Sequence, residues 1–593
     1  MPCQRPYFLI FQFDASIAFA FILSVPAMFP FRFCLATLCA VFALPLQAQV
    51  DTPSTLLNAK PAVSSRENSP VPTIDNQVPD KAAPELGKPL NDISIDVTAY
   101  RIDDVEARYQ NDLETLLAPY VGAGRSFEDL SNAAQLVTAY LQRELGLYLA
   151  YAYLPAQDIK NGVVRIAVLP GILESVEVVW PADELRVKRE IVQSHLASLR
   201  PGSIIRVDEV ERVVFLLNDL RGIRMSFAIK PGTQAGKAIL VATPTNDKPL
   251  TGSVGVDTNG SRFAGTYRGI ATLSWESPLG LGDSLSVSHL KSDTGGLDFT
   301  LLGYTLPVGS NGLKLGANVS TVNYQLSEDD FPLGLNGDAE SFGVFALYPL
   351  LRSRNLNLFV LAGLDQKEFT DRQTLTGLET VKQVDSFRLG LNGDSRDSFA
   401  GGGLNFFNLT YEESKVNYPG GVPFGLDDDL SAMRANYSLG RLQSIVPGKL
   451  MLWAYLRGQQ AFDNLDSSEQ CSLGGATAVR AFAQGETSGD SCDLFTLEAR
   501  YLPSAAWLDG YARELSFNVF YDQGRVQLRH DASSQASGFD NHAELAGYGL
   551  GLAWDRQDVF TFNLSLAWEL TGIRKSDPKR QSPRIFASYI YYF

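Results

Sequence analysis

The stretch FTFNLSLAW, residues 560–568, decides how this chain folds. Phe560, Phe562, Leu564, Leu566 and Trp568 alternate with Thr561, Asn563, Ser565 and Ala567. Successive side chains of a strand point to opposite faces, so one face is wholly apolar and the other small or polar. In a bilayer the apolar face meets lipid and the other lines a lumen. Working outward, sixteen segments of about ten residues fill 247–593, from TGSVGVDTNG to RIFASYIYYF, broken by Gly, Asn, Asp and Ser. An even count lets an antiparallel sheet close with both ends on one side, so the fold class is a 16-stranded transmembrane β-barrel. A large soluble β-sandwich or solenoid is the competing fold. Aromatic residues gathered near strand ends, as in an interfacial girdle, weigh against it.

Upstream the pattern changes. Residues 92–170 carry a strand at ISIDVTAYRI, helices at DVEARYQNDLETLLAPYV and SFEDLSNAAQLVTAYLQREL, then strands YLAYAYLPAQ and GVVRIAVLPG. Ser126 with Asp129 three residues on suits the start of the second helix. Residues 171–246 repeat the order: ILESVEVVWP, LRVKREIVQSHLASL, RVDEVERVVFLLNDL, IRMSFAIKPG and KAILVATPT. A β-α-α-β-β unit occurring twice is an internal repeat. Before it, residues 49–91 contain seven prolines among Ser, Asn, Asp and Lys, an extended tether.

The segment RFCLATLCAVFALPLQA, residues 32–48, reads as a cleavable signal peptide ending Leu46-Gln47-Ala48, with Met28 as the expected translation start. A membrane anchor is the alternative, against which Pro26, Pro30 and Pro45 weigh. Export agrees with the cysteines. Cys3, Cys34 and Cys39 fall in the leader, and the mature chain keeps Cys471 and Cys492, an even pair expected to form a disulfide. No other stretch offers the ~20 apolar residues of a spanning helix. The net charge of −16 argues against a nucleic-acid partner. Four scattered histidines (His195, His289, His530, His542) and the absence of GxSxG, P-loop or HExxH stretches argue against a metal, a cofactor or an enzyme.

Between the eleventh and twelfth strands lies CSLGGATAVRAFAQGETSGDSC, residues 471–492. Its SLGGATAVRAF, followed by Gly485, Gly489 and Asp490, is similar to the SLGG…VRGY/F and G…SGD signature of one family. FYDQGRV on the thirteenth strand is similar to that family's second signature, with Phe520, Asp522 and Gly524 in the aromatic-DxG positions. Signal peptide, tether, two POTRA-like units and barrel together resemble the outer-membrane translocators of two-partner secretion (TpsB; ShlB/FhaC/HecB haemolysin-activator type, of the POTRA-barrel superfamily). Tyr589, Tyr591 and Phe593 resemble the terminal aromatic signal by which such barrels are recognised for assembly.

The resemblance implies a location in the outer membrane with the N-terminal units in the periplasm. It implies a function too: binding an unfolded secreted exoprotein (a TpsA-type haemolysin, adhesin or haem-binding protein) on the POTRA-like units and exporting it through the pore. Lipid, lipopolysaccharide and, during biogenesis, the barrel-assembly machinery are the other expected partners of a monomer. An assembly insertase of the same superfamily is the alternative, and would carry more periplasmic units. The loop 466–492 is expected to fold into the lumen. Gly474 and Gly475 would permit a tight return, Val479 and Phe482 would flank the motif, and Arg480 would need a carboxylate, for which the family motif offers Asp522. A solvated loop charge is the alternative for Arg480. Ala481 stands where the family usually has glycine; a positive φ there would add strain of around 1 kcal/mol.

Overall fold

The structure, a computed structural model, describes residues 94–593 apart from 104, 148, 160, 422–429, 505–510, 512–513, 534, 536–537 and 573–581. The expected signal peptide (1–48) and tether (49–91) lie outside the described residues.

The first N-terminal unit is built from β1 (Ser94–Val97), β2 (Ala99–Ile102), α1 (Gln110–Leu117), β3 (Gly122–Ser126), α2 (Phe127–Arg143), β4 (Tyr151–Tyr153) and β5 (Val163–Leu169). Ser126 caps α2 reciprocally: its hydroxyl accepts from the Asp129 amide at 3.1 Å, and Asp129 accepts from the Ser126 amide at 2.9 Å. Leu130, Val137 and Leu141 of α2 and Leu113 and Leu117 of α1 pack on Val164, Ile166 and Val168. Two features differ from the simple β-α-α-β-β order. The first strand divides at Thr98, and β1 pairs with β3, a Gly-rich stretch whose Gly124 amide donates to Asp96 at 2.8 Å. GAGRS carries no apolar alternation, so its sequence does not announce a strand.

The second unit comprises β6 (Ile172–Val178), α3 (Arg189–Leu196), α4 (Val207–Asn218), β7 (Ile223–Pro231) and β8 (Lys237–Asn246). Its sheet runs β6-β8-β7, as that of the first runs β2-β5-β4, with the outer strand parallel to the central one in each. Residues 172–173 of β6 are covered by Gly202–Ile204; among the described residues no strand pairs with the outer edge of Ser175–Val178.

Sixteen strands then close a barrel. The first eight are β9 (Leu250–Asp257), β10 (Arg268–Glu276), β11 (Ser284–Ser292), β12 (Leu297–Val308), β13 (Leu313–Gln325), β14 (Leu335–Arg352), β15 (Leu356–Gln373) and β16 (Leu378–Asp397). They are followed by β17 (Gly403–Asn417), β18 (Leu430–Val446) and β19 (Leu450–Ala461). A lumenal hairpin comes next, β20 (Cys471–Leu473) and β21 (Thr487–Gly489). The wall resumes with β22 (Ser491–Tyr501), β23 (Leu515–Gln527), β24 (His542–Arg556), β25 (Phe560–Thr571) and β26 (Arg584–Tyr592). Closure is the β26–β9 pairing, from Ser588↔Asp257 to Tyr592↔Ser253.

The barrel is inside-out relative to a soluble protein. Val256, Phe342, Leu364, Leu409, Leu439, Val519 and Leu550 are exposed outward, while Asn392, Glu412, Arg434, Glu498, Arg500 and Asp522 are buried. That inversion is what a lipid-facing belt around a polar lumen requires. Among the described residues no helix is long and apolar enough to cross a membrane. Several strands exceed ten residues, the longest being β16 with 20. The sequence segments stop short because polar residues such as Lys382, Gln383 and Asp385 interrupt the apolar alternation. Backbone pairing nevertheless continues outward to Gln373↔Leu378.

The second unit docks on the inner rim. Arg352, ending β14, meets Asp219 through two bonds, Nε–Oδ2 2.9 Å and Nη2–Oδ1 2.7 Å, and stacks on Phe215 of α4. Arg212 of the same helix donates to the Pro349 carbonyl at 3.1 Å.

Candidate functional site

The chain leaves β19 and turns into the lumen. A 3₁₀ turn at Ser467–Glu469 precedes β20, which pairs with β21 from Cys471↔Gly489 to Leu473↔Thr487. Gly474 (φ +94°) and Gly475 (φ +104°) make the return in backbone conformations that a side chain disfavours. Cys471 and Cys492 are joined, with Cα atoms 6.3 Å apart, so the hairpin is tied to the start of β22. Asp490 is fully buried and accepts from Gln470 Nε2 at 2.7 Å and the His530 amide at 2.8 Å. Gly485 has φ +70°, and a Cβ at Gly489 would lie 2.4 Å from the Gln527 carbonyl.

One side of the hairpin is apolar and seals against the wall. Leu473, Val479, Ala481 and Phe482 pack with Leu494, Phe520, Val526, Leu545 and Ala567. Gly524 makes room for this contact: a Cβ there would stand 2.9 Å from Leu473 Cδ1 and 3.0 Å from Val479 Cγ2.

Arg480 extends from this face toward β22 and β23 and is only 5% exposed. Its Nε and Nη2 donate to the two oxygens of Asp522 at 2.7 and 2.8 Å, a bidentate fork. The Arg480 amide also donates to Asp522 at 3.2 Å. Nη1 reaches Glu498 at 3.2 Å, and the guanidinium carbon lies 3.3 Å from the centre of the Phe520 ring. Asp522 further accepts from the Thr496 hydroxyl at 2.9 Å, and Arg500 Nε donates to Glu498 at 2.8 Å. Two arginines thus meet two carboxylates, a neutral group suited to a low-dielectric wall.

Loop and wall motifs therefore meet at one place. Tyr589, Tyr591 and Phe593 do not join them; they lie exposed at the closing seam, where the Phe593 amide donates to the Gly252 carbonyl at 3.0 Å. Strain at Ala481 is absent: the residue is not among those with positive φ. Its methyl instead fills space above Gly547, where a Cβ would come within 2.4 Å of it. Sequence reading did not single out Glu498 and Arg500. A signal exists in strand parity, since Thr496, Glu498 and Arg500 alternate along FTLEARY on the lumenal face.

This architecture can be set beside known proteins. The family model "Haemolysin secretion/activation protein ShlB/FhaC/HecB" matches residues 236–554, and "POTRA domain, ShlB-type" matches residues 95–171. The chain belongs to the ShlB/FhaC/HecB family of haemolysin secretion/activation proteins. It is an outer-membrane β-barrel transporter of the TpsB type, with its POTRA domains on the periplasmic side. Heme/hemopexin transporter protein HuxB of Haemophilus influenzae (strain 86-028NP) is 25% identical over 485 residues, 79% of this chain and 82% of the relative. Outer membrane transporter CdiB of Dickeya dadantii (strain 3937) is 25% identical over 443 residues, 72% of this chain and 76% of the relative. The solved structure of CdiB from Escherichia coli shares the fold with a TM-score of 0.64 at 19% identity, covering 87% of this chain and 94% of that one.

Proposed function

We propose that the chain exports one large secreted partner, a TpsA-type exoprotein, which binds unfolded to the periplasmic units and passes through the lumen. The observation that carries this reading is the lumenal hairpin anchored by Arg480, together with two N-terminal α/β units in which β2 and β6 are edge strands among the described residues. Strand addition along an edge such as β6 suits an unfolded polypeptide, because backbone hydrogen bonds supply affinity without demanding one sequence. Relatives named as a heme/hemopexin transporter and a hemolysin transporter support a haem-binding or haemolytic cargo. Folding of the partner outside would bias the direction, so no catalytic step is required. The protein works as a monomer in a bilayer carrying lipopolysaccharide, inserted by the barrel-assembly machinery.

Deleting residues 92–170 tests the division of labour. The truncated chain should still form a heat-modifiable barrel in the membrane and should secrete no partner. Normal secretion by that variant would overturn the role given to the first unit.

A further inference from the structure

The hairpin tip is not the sole point at which this loop is held. Before the hairpin, Asp466 and Glu469 turn the other way from the tip, to the stretch of wall formed by β15 to β18 on the far side of β19. Lys382 of β16 donates to Asp466 Oδ1 at 2.8 Å, and the Tyr418 hydroxyl donates to Oδ2 at 3.0 Å. Lys367 of β15 donates to Glu469 at 3.1 Å, and Arg434 of β18 pairs with the Glu469 carboxylate and also donates to its carbonyl at 2.6 Å. Arg434 in turn pairs with Glu412 of β17 at 2.9 Å. Three cations meet three carboxylates, and five of the six residues are less than 9% exposed.

Position makes this cluster more than a surface ion pair. Strand β15 is four strands from β19, from which the loop departs, or ~19 Å round the wall at ~4.8 Å per strand. Lys382 lies near the outer start of β16, and Arg434 near the outer start of β18. Tyr418 shares an apolar cluster with Phe263, Leu326, Leu335 and Phe369, to which the connections following β9 and β13 contribute. The loop base is therefore fastened beside an apolar cap at the outer mouth, while the tip is fastened deeper on β22 and β23. Between the hairpin and the β13–β19 wall a cavity of about 470 Å³ remains, with Glu469 in its lining. Were the base to leave, Lys367, Lys382 and Arg434 would face Glu412 alone of the six groups. Taking one side away from such a buried cluster is costly, because the charges left behind are uncompensated.

We propose that Asp466 and Glu469 are positioning residues that latch the outer half of the lumen shut, independently of the Arg480 anchor. The inference rests on reading the lumen as the passage, but its test needs no partner protein. Single-channel currents of the purified full chain in planar lipid bilayers report the latch directly. The double variant Lys382→Gln with Asp466→Asn removes a contact without changing net charge. Its open fraction should rise roughly tenfold or more, the ratio implied by loss of a charge-assisted hydrogen bond. The swap Lys382→Asp with Asp466→Lys should return the open fraction toward wild type, a rescue that mere destabilisation would not give. Should the double variant fail to insert as a heat-modifiable barrel, Lys382→Gln and Glu469→Gln measured separately decide the matter. Wild-type currents from the inserted variants, or a swap that opens as much as the neutral pair, would overturn the latch. Secretion can fail while these currents change as expected, so the two readings fall separately.

Discussion

Replacing Arg480 by alanine removes the bidentate pair with Asp522 at 2.7 and 2.8 Å, the 3.2 Å contact to Glu498 and the stacking on Phe520. Removing one partner of a buried pair costs roughly 3–5 kcal/mol, because the other charge is left uncompensated. Here both carboxylates retain a donor: Glu498 keeps Arg500 at 2.8 Å, and Asp522 keeps Thr496 at 2.9 Å. The lower end, about 3 kcal/mol, is therefore expected, or roughly a hundredfold shift from docked toward released hairpin. Hydrogen exchange of the full chain in nanodiscs measures this at the amides of Gly475, Ala478 and Phe482, which close the hairpin's own turns. Their protection should fall by roughly two orders of magnitude in Arg480→Ala while the β22–β24 amides stay protected. Arg480→Lys should recover only part of it, since an ammonium cannot reproduce the fork. Unchanged loop protection, or strictly additive losses in a cycle with Asp522→Asn, would refute the anchor.

Three further outcomes follow from particular contacts. Cys471→Ser with Cys492→Ser opens a loop closed over a separation of 21 residues, so hairpin protection should fall by about 3 kcal/mol in the chain-entropy account, read by the same exchange measurement. Gly547→Ala drives a Cβ to 2.4 Å from the Ala481 methyl and should displace the tip; adding Ala481→Gly should restore docking, and exchange of the pair against each single change checks it. Burial lowers the pKa of His195 in the second N-terminal α/β unit, so the unfolded unit takes up its proton first as pH falls. Stability contributed by the neutral ring is thus present above about pH 6.5 and lost below it. The urea midpoint of that unit, followed by pulse proteolysis, should drop from pH 7.5 to 5.5 in wild type and less in His195→Gln.

The wall and the periplasmic units were legible because their physics is periodic. Alternation from Phe560 to Trp568 states which face meets lipid, and the doubled α/β order states the POTRA-like repeat. The Arg480–Asp522 contact came from two motifs taken together, which spacing alone would not have joined across 42 residues. What stayed hidden lies where one partner carries no local signal. Asp466 and Glu469 look like ordinary polar loop residues; their lysine partners stand 84 and 102 residues earlier in the chain, on strands that barrel pairing alone brings near the loop. The accommodation of Ala481 was likewise invisible, because the compensating space is the missing side chain of Gly547.

Export itself can be read in a minimal system. The purified chain is placed in liposomes of outer-membrane lipid, and an unfolded TpsA-type exoprotein is supplied on the POTRA side. The protein is then assayed for protease-protected passage to the other compartment. Passage with the intact chain, lost on deleting residues 92–170 and strongly reduced by Arg480→Ala, is the result expected of a TpsB-type transporter working through this lumen. Exoprotein that stays on the POTRA side with the intact chain, or crosses equally well with the truncated one, would contradict it.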